Sequence, residues 1–237
     1  MLLKVTDIYI HQDIRSNNKV GYKLSDDYII PRLNHLCKTI CIPNLVGFGN
    51  GIFQTETSEV CTVMGHSNWP LFYRDMIIDK AYNEIAVKTV DNVIKYISNY
   101  NFNREEVKEK FENSLRKLYK REQNWDVKIV KYIEEHYKTK KMFNDCNHPS
   151  DLLMLKICEK VAELLGINDI NKSEKVQFNL GLEAFVWSGI KKILGMTITE
   201  NEVRQDDKIH ILGSINELDM KEFIREYIWC FHDDYLP

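Results

Sequence analysis

Two short β-branched runs, Thr6-Asp-Ile-Tyr-Ile-His-Gln12 and Lys38-Thr-Ile-Cys-Ile42, flank a helix-start signal at Ser25-Asp26-Asp27. Strand, helix and strand in that order constrain the fold more than any other feature of the chain. They predict a parallel βαβ unit with a right-handed crossover. The helix is expected to reach about His35 or Leu36, and Pro43 stops the second strand. Only ten glycines and five prolines occur in 237 residues, which calls for long helices and argues against an all-β sandwich.

Beyond the second strand, Pro43-Asn-Leu-Val-Gly-Phe-Gly-Asn-Gly51 holds three of the ten glycines and reads as a loop. Val60-Cys-Thr-Val-Met64 is a candidate third strand. From about Asp79 the pattern turns helical, with Ala86, Val90, Val93, Ile94 and Ile97 on one face. Asn103 caps the next helix, whose stripe is Val107, Phe111, Leu115 and Leu118. Trp125, Ile129, Val130 and Ile133 mark another helix, ending near Tyr137. A last strand is expected near 141–144, and a turn follows. Ser150 then opens a helix that Gly166 closes. The apolar stretch 173–196 reads as a buried helix, and Asp219 to Phe231 as a final amphipathic one. The expectation is an α/β fold with a small parallel sheet and a large helical complement. Residues 1–237 form one domain, with a βαβ-type segment over 1–78 and a mainly helical remainder.

Hydrophobic residues at 44% and charged residues at 28% are an ordinary globular balance. A net charge of −3 argues against a nucleic-acid binder. The acid at Asp7 comes too early for a signal peptide, and no apolar run is long enough to span a membrane. A cytoplasmic location is therefore expected. The cysteines at 37, 41, 61, 146, 158 and 230 read as scattered thiols. Cys37 and Cys41 lie near His35, but no second ligand pair follows at finger-like spacing, so no metal site is expected.

In a parallel sheet, ligands bind beyond the carboxyl ends of the strands. Three polar stretches are expected there: His11-Gln12, Asn44 with its glycine loop, and Asp145-Cys-Asn-His148 if residues 141–144 are parallel to the others. An aspartate three residues before a histidine can orient the imidazole as a general base, which makes Asp145 and His148 catalytic candidates. The other reading is a turn in which Asp145 and Asn147 satisfy backbone donors. His11 could bind substrate or sit at a core margin; Gln12 suits an amide or a sugar hydroxyl. The clusters Lys138-Thr-Lys-Lys141 and Lys191-Lys192 could meet phosphates, or simply face solvent.

Asp7-Ile-Tyr-Ile-His-Gln12, Ile42-Pro-Asn44, Arg121-Glu122 and Met142-Phe-Asn-Asp-Cys-Asn-His-Pro-Ser150 together resemble the WcbI-type family of bacterial capsule and polysaccharide biosynthesis proteins. The likeness covers most of residues 6 to 166. It implies an α/β core, binding of coenzyme A or an acyl-CoA, and acyl or acetyl transfer to a sugar or polysaccharide precursor. It also carries Arg121, Glu122 and Asn147 into the binding set beside His11, Gln12 and Asn44. The family's glycine-asparagine-cysteine-glutamine turn, which precedes the Asp7 segment, has no match here. A non-catalytic binding or assembly subunit, with a second copy of the chain as one partner, therefore stays open. So does an SGNH-like esterase using Ser58 or Cys61.

Overall fold

A computed structural model describes residues 5–14, 21–45, 54–56, 73–143, 149–167, 187–198, 208–210 and 217–232. The protein is a small, helix-rich α/β fold. β1 (Ile8–Gln12) and β2 (Lys38–Ile42) pair in parallel, with Ile8 opposite Lys38 and Gln12 opposite Ile42. The expected pairing is thus present, with β1 starting at Ile8 rather than Thr6. The helix between them is shorter than expected. α1 (Asp26–Ile29) gives way to a 3-10 turn, Ile30–Arg32, containing Pro31, whose missing N–H cannot continue an α-helix. His35 and Leu36 lie beyond it, exposed.

The outer edge of β2 is sealed without another strand. Cys41 N–H donates to Asp126 Oδ2 at 2.7 Å, and Cys41 O accepts from Asp126 N at 2.9 Å and Val127 N at 3.3 Å. Two short antiparallel hairpins, β3 (Gln54–Glu56) with β4 (Tyr73–Asp75) and β5 (Lys208–His210) with β6 (Glu217–Asp219), were not expected from the sequence. Val60–Met64 lies outside the described residues. Residues 141–143 pair with neither β1 nor β2. Phe143 instead makes one antiparallel bridge with Pro149, so the third parallel strand is absent among the described residues.

α2 (Met76–Glu84) starts under Asp75, whose Oδ1 accepts from Ile77 N at 2.8 Å and Ile78 N at 3.2 Å. The chain leaves the helix at Ile85, and Thr89 caps α3 (Val90–Ser98). Ala86 therefore lies in a connection, not on a continuous stripe. α4 (Arg104–Glu122) carries the expected Asn103 cap and buries Val107, Phe111 and Leu118. α5 (Val130–His136) begins after Trp125, which is buried outside the helix. α6 (Asp151–Leu165) has both expected ends: Ser150 Oγ accepts from Leu153 N, and Gly166 takes the left-handed conformation at φ 71°. α7 (Ser188–Leu194) is the described part of the 173–196 stretch, and α8 (Met220–Phe231) is the final helix.

The buried apolar residues form two clusters. One gathers α2, α3, α7 and α8, including Ile78, Tyr82, Val93, Ile190 and Tyr227. The other surrounds β2 with Leu118, Ile133, Phe143 and Leu153. Leu194 packs against both. Among the described residues, no helix is long and apolar enough to cross a membrane.

Candidate functional site

Because β1 and β2 are parallel, Gln12 and Ile42 end at the same edge of the sheet. Gln12 Nε2 donates to Pro43 O at 3.2 Å, which fastens the glutamine onto the turn that presents Asn44. The Gln12 side-chain oxygen and the half-buried Asn44 amide keep their hydrogen-bonding capacity among the described residues. Sequence reasoning placed these two residues together, and the structure does so.

His11 behaves differently. Successive residues of a strand face opposite sides, so His11 lies with Tyr9 on the half-buried face while Gln12 shares the exposed face with Ile8 and Ile10. The Tyr9 and His11 rings stack at 4.9 Å, 6° from parallel. His11 Nδ1 sits 2.9 Å from Asp26 Oδ1, with the two side chains 9% and 14% exposed. Its better-aligned acceptor is Gln12 O at 3.2 Å. A carbonyl oxygen can only accept, so the Gln12 O contact assigns a proton to Nδ1, with Asp26 Oδ1 at ion-pair distance but without a hydrogen bond. Asp26, the first residue of α1, is itself held by the segment that follows β1: its Oδ2 accepts from Ile14 N at 3.0 Å, and its N–H donates to Ile14 O at 2.8 Å.

Sequence reasoning saw Asp26 only as a helix start and missed it as the partner of His11. The period-2 alternation of the strand was the signal that separates His11 from Gln12. Cys41 is the residue opposite His11 in the ladder. Burial, and then the carboxylates of Asp13, Asp26 and Asp126, push its thiol up to about 11, against a weaker opposing effect of Lys128. It is therefore a neutral thiol at pH 7 and no ready nucleophile.

Glu122 has a structural task. Its Oε1 accepts from Ile129 N at 2.5 Å and Val130 N at 2.7 Å, capping α5 from the end of α4. Arg121 is half-buried, and burial lowers its pKa from the ordinary value. Asp145, Asn147 and His148 lie outside the described residues, as do Ser58 and Cys61. Their flanks are described. Phe143 and Pro149 are bridged, Ser150 N–H donates to Met142 O at 2.9 Å, and Ser150 Oγ donates to Lys141 O at 2.7 Å.

Lys38, the first residue of β2, donates to Leu164 O in the last turn of α6. α6 also packs its Leu153 and Ile157 into the cluster around Ile40 and Cys41 of β2. Among the described residues no group of histidine, cysteine and carboxylate side chains is arranged to hold a metal. Cys37 and Cys41 sit at opposite ends of β2, both as free thiols.

A parallel strand pair with polar residues at its carboxyl edge, wrapped in helices, defines a small α/β protein with a candidate site at that edge. Residues 1–170 match the family described as the polysaccharide biosynthesis enzyme WcbI. The chain belongs to that family. A solved structure of WcbI itself superposes with a TM-score of 0.67 at 13% identity, over 94% of this chain and 71% of that one. That structure is described as the native protein without a disulfide bond between coenzyme A and one of its cysteines. At this identity the likeness shows the shared fold. No curated protein matches the chain.

Proposed function

We propose that this polysaccharide biosynthesis protein binds an acyl-CoA at the carboxyl edge of the β1–β2 pair and transfers the acyl group to a sugar hydroxyl. The observation that carries the reading is the fastening of Gln12 to the Pro43-Asn44 turn at the shared carboxyl edge of β1 and β2. Family membership and the coenzyme A named for the WcbI structure agree with it. The Gln12 oxygen and the Asn44 amide are suited to amide groups of a pantetheine arm or to sugar hydroxyls.

In this reading His148, oriented by Asp145, takes the proton of the acceptor hydroxyl. The oxygen adds to the thioester carbonyl carbon and the carbon–sulfur bond breaks. The proton then passes to the departing thiolate, leaving a sugar ester and a free thiol. Asn147 and Arg121 complete the binding set.

Calorimetry with coenzyme A and an acetyl-CoA turnover assay test the proposal. Micromolar binding is expected, and His148→Ala should lower turnover by ~10²–10⁴-fold with binding retained. Unchanged turnover in that variant removes the mechanism. Binding without turnover in the unmodified protein favours a binding or assembly subunit.

A further inference from the structure

Two lysine runs that lie about fifty residues apart in sequence meet in the fold. Lys138 and Lys140 follow the last turn of α5, whereas Lys191 and Lys192 occupy the last turn of α7. α7 closes with Gly195 at φ 66°, and Met196 N–H donates to Lys191 O at 2.9 Å. The next residue, Thr197, donates its N–H to Lys138 O at 2.6 Å. The two helix ends are thus joined backbone to backbone, and both bring their lysines to the joint.

The charge on these lysines is unbalanced. Several other helix lysines sit beside carboxylates, such as Lys80 with Glu84, Lys110 with Glu106, Lys131 with Glu135 and Lys156 with Glu159. Among the described residues, none of Lys138, Lys140, Lys191 and Lys192 makes an ion pair; Lys138 contacts only the ring of Tyr137 through its ammonium, at 5.7 Å. Helix C-termini favour a cation, which accounts for a lysine on either helix singly. It does not account for joining two such ends to each other, where like charges repel and an anion shared between them relieves the repulsion. The run from Lys138 also leads straight into the strap that holds Ser150, since Lys141 and Met142 supply the carbonyls that Ser150 bonds.

We infer that Lys138, Lys140, Lys191 and Lys192 form one anion-docking face that holds the phosphates of the coenzyme A moiety. The inference rests on the proposed function and assigns the charged end of its ligand. Coenzyme A carries a diphosphate and a 3′-phosphate at one end and a neutral pantetheine arm at the other. With the phosphates on the lysine face, the neutral arm is left for the Gln12 and Asn44 edge.

Calorimetry on the full chain with coenzyme A, dephospho-coenzyme A and pantetheine tests this. The unmodified protein should bind in that order of decreasing affinity, with the coenzyme A affinity falling as salt is raised. The double variant Lys191→Glu with Lys192→Glu should weaken coenzyme A by ~10-fold or more, since each lost charge-assisted phosphate contact is strong. It should leave pantetheine binding as it was. Lys138→Gln with Lys192→Gln should show the same pattern more mildly if the charge reversals unfold the chain. Lys95→Glu on α3 controls for net charge and should change nothing. Coenzyme A and pantetheine binding alike, with both insensitive to these variants, overturns the docking face and leaves the acyl-CoA reading standing. Neither ligand binding the unmodified protein removes both.

Discussion

Asp75 is a carboxylate that the fold holds at an electrostatic cost. It is buried, and three donors reach it: Ile77 N, Ile78 N and, at 3.2 Å, Trp187 Nε1. Its pKa rises from 3.8 to about 6, chiefly through burial. Those hydrogen bonds oppose the rise, and the nearby charge of Asp79 adds to it. The folded chain therefore binds a proton at Asp75 between about pH 4 and 6, where the unfolded chain does not. Stability from this group is fully present below about pH 4, is lost as pH rises from about 4 to 6, by up to ~3 kcal/mol in all, and is flat above that. Asp75→Asn removes the titration, so urea unfolding from pH 4.5 to 8 should show a flatter pH dependence in the variant. Parallel profiles would contradict the assignment. The neighbouring Tyr227 and His232, both bonded to Asp79 Oδ1 at 2.9 and 3.1 Å, join α8 to α2 through the same network.

At the scale of elements, two joints decide how the helices sit. Gly189, in the first turn of α7, faces Phe102; an added Cβ would lie 2.4 Å from the ring. Gly189→Ala must push the ring or the helix aside, and overpacking of this kind costs ~1–3 kcal/mol. Urea denaturation should show that loss, and an unchanged midpoint would mean that α7 does not press on Phe102. The second joint is Glu122. Glu122→Ala leaves two α5 amides uncapped and should lower stability by ~1–2 kcal/mol, with Glu122→Gln recovering part of it in the same thermal melts.

These joints explain what the sequence could and could not show. Asn103, Ser150 and Gly166 act within one helix turn, so their neighbours in sequence are their partners in space, and those caps were legible. The cap on α5 comes from the preceding helix, and the seal on β2 comes from Asp126, 85 residues after Cys41. Neither leaves a local pattern. Ala86 shared the spacing of the α3 stripe, but the spacing did not reveal that Thr89 restarts the helix. The two lysine runs were visible separately, but the backbone bond that joins their helix ends was not.

For the whole molecule, the family match ends at residue 170, yet the apolar cluster of α2 and α3 is completed by α7 and α8 beyond it. The C-terminal helices are thus part of the same packing as the family region, and Leu194 ties that packing to the cluster around the sheet. The parallel pair was legible because β-branched runs flanking a cap predict it directly. Gln12 with Asn44 followed from its geometry. The separation of His11 toward Asp26 followed equally from strand alternation, but only once the strand was counted residue by residue.

The central claim is that the stretches around residues 12, 44 and 148 share one ligand. Hydrogen–deuterium exchange of the full chain, with and without saturating coenzyme A, tests it most directly. Slowed exchange is expected in peptides spanning 8–14, 42–53 and 141–150 together. Protection confined to one of these stretches, or found only on the α2, α3 and α8 side, would contradict it.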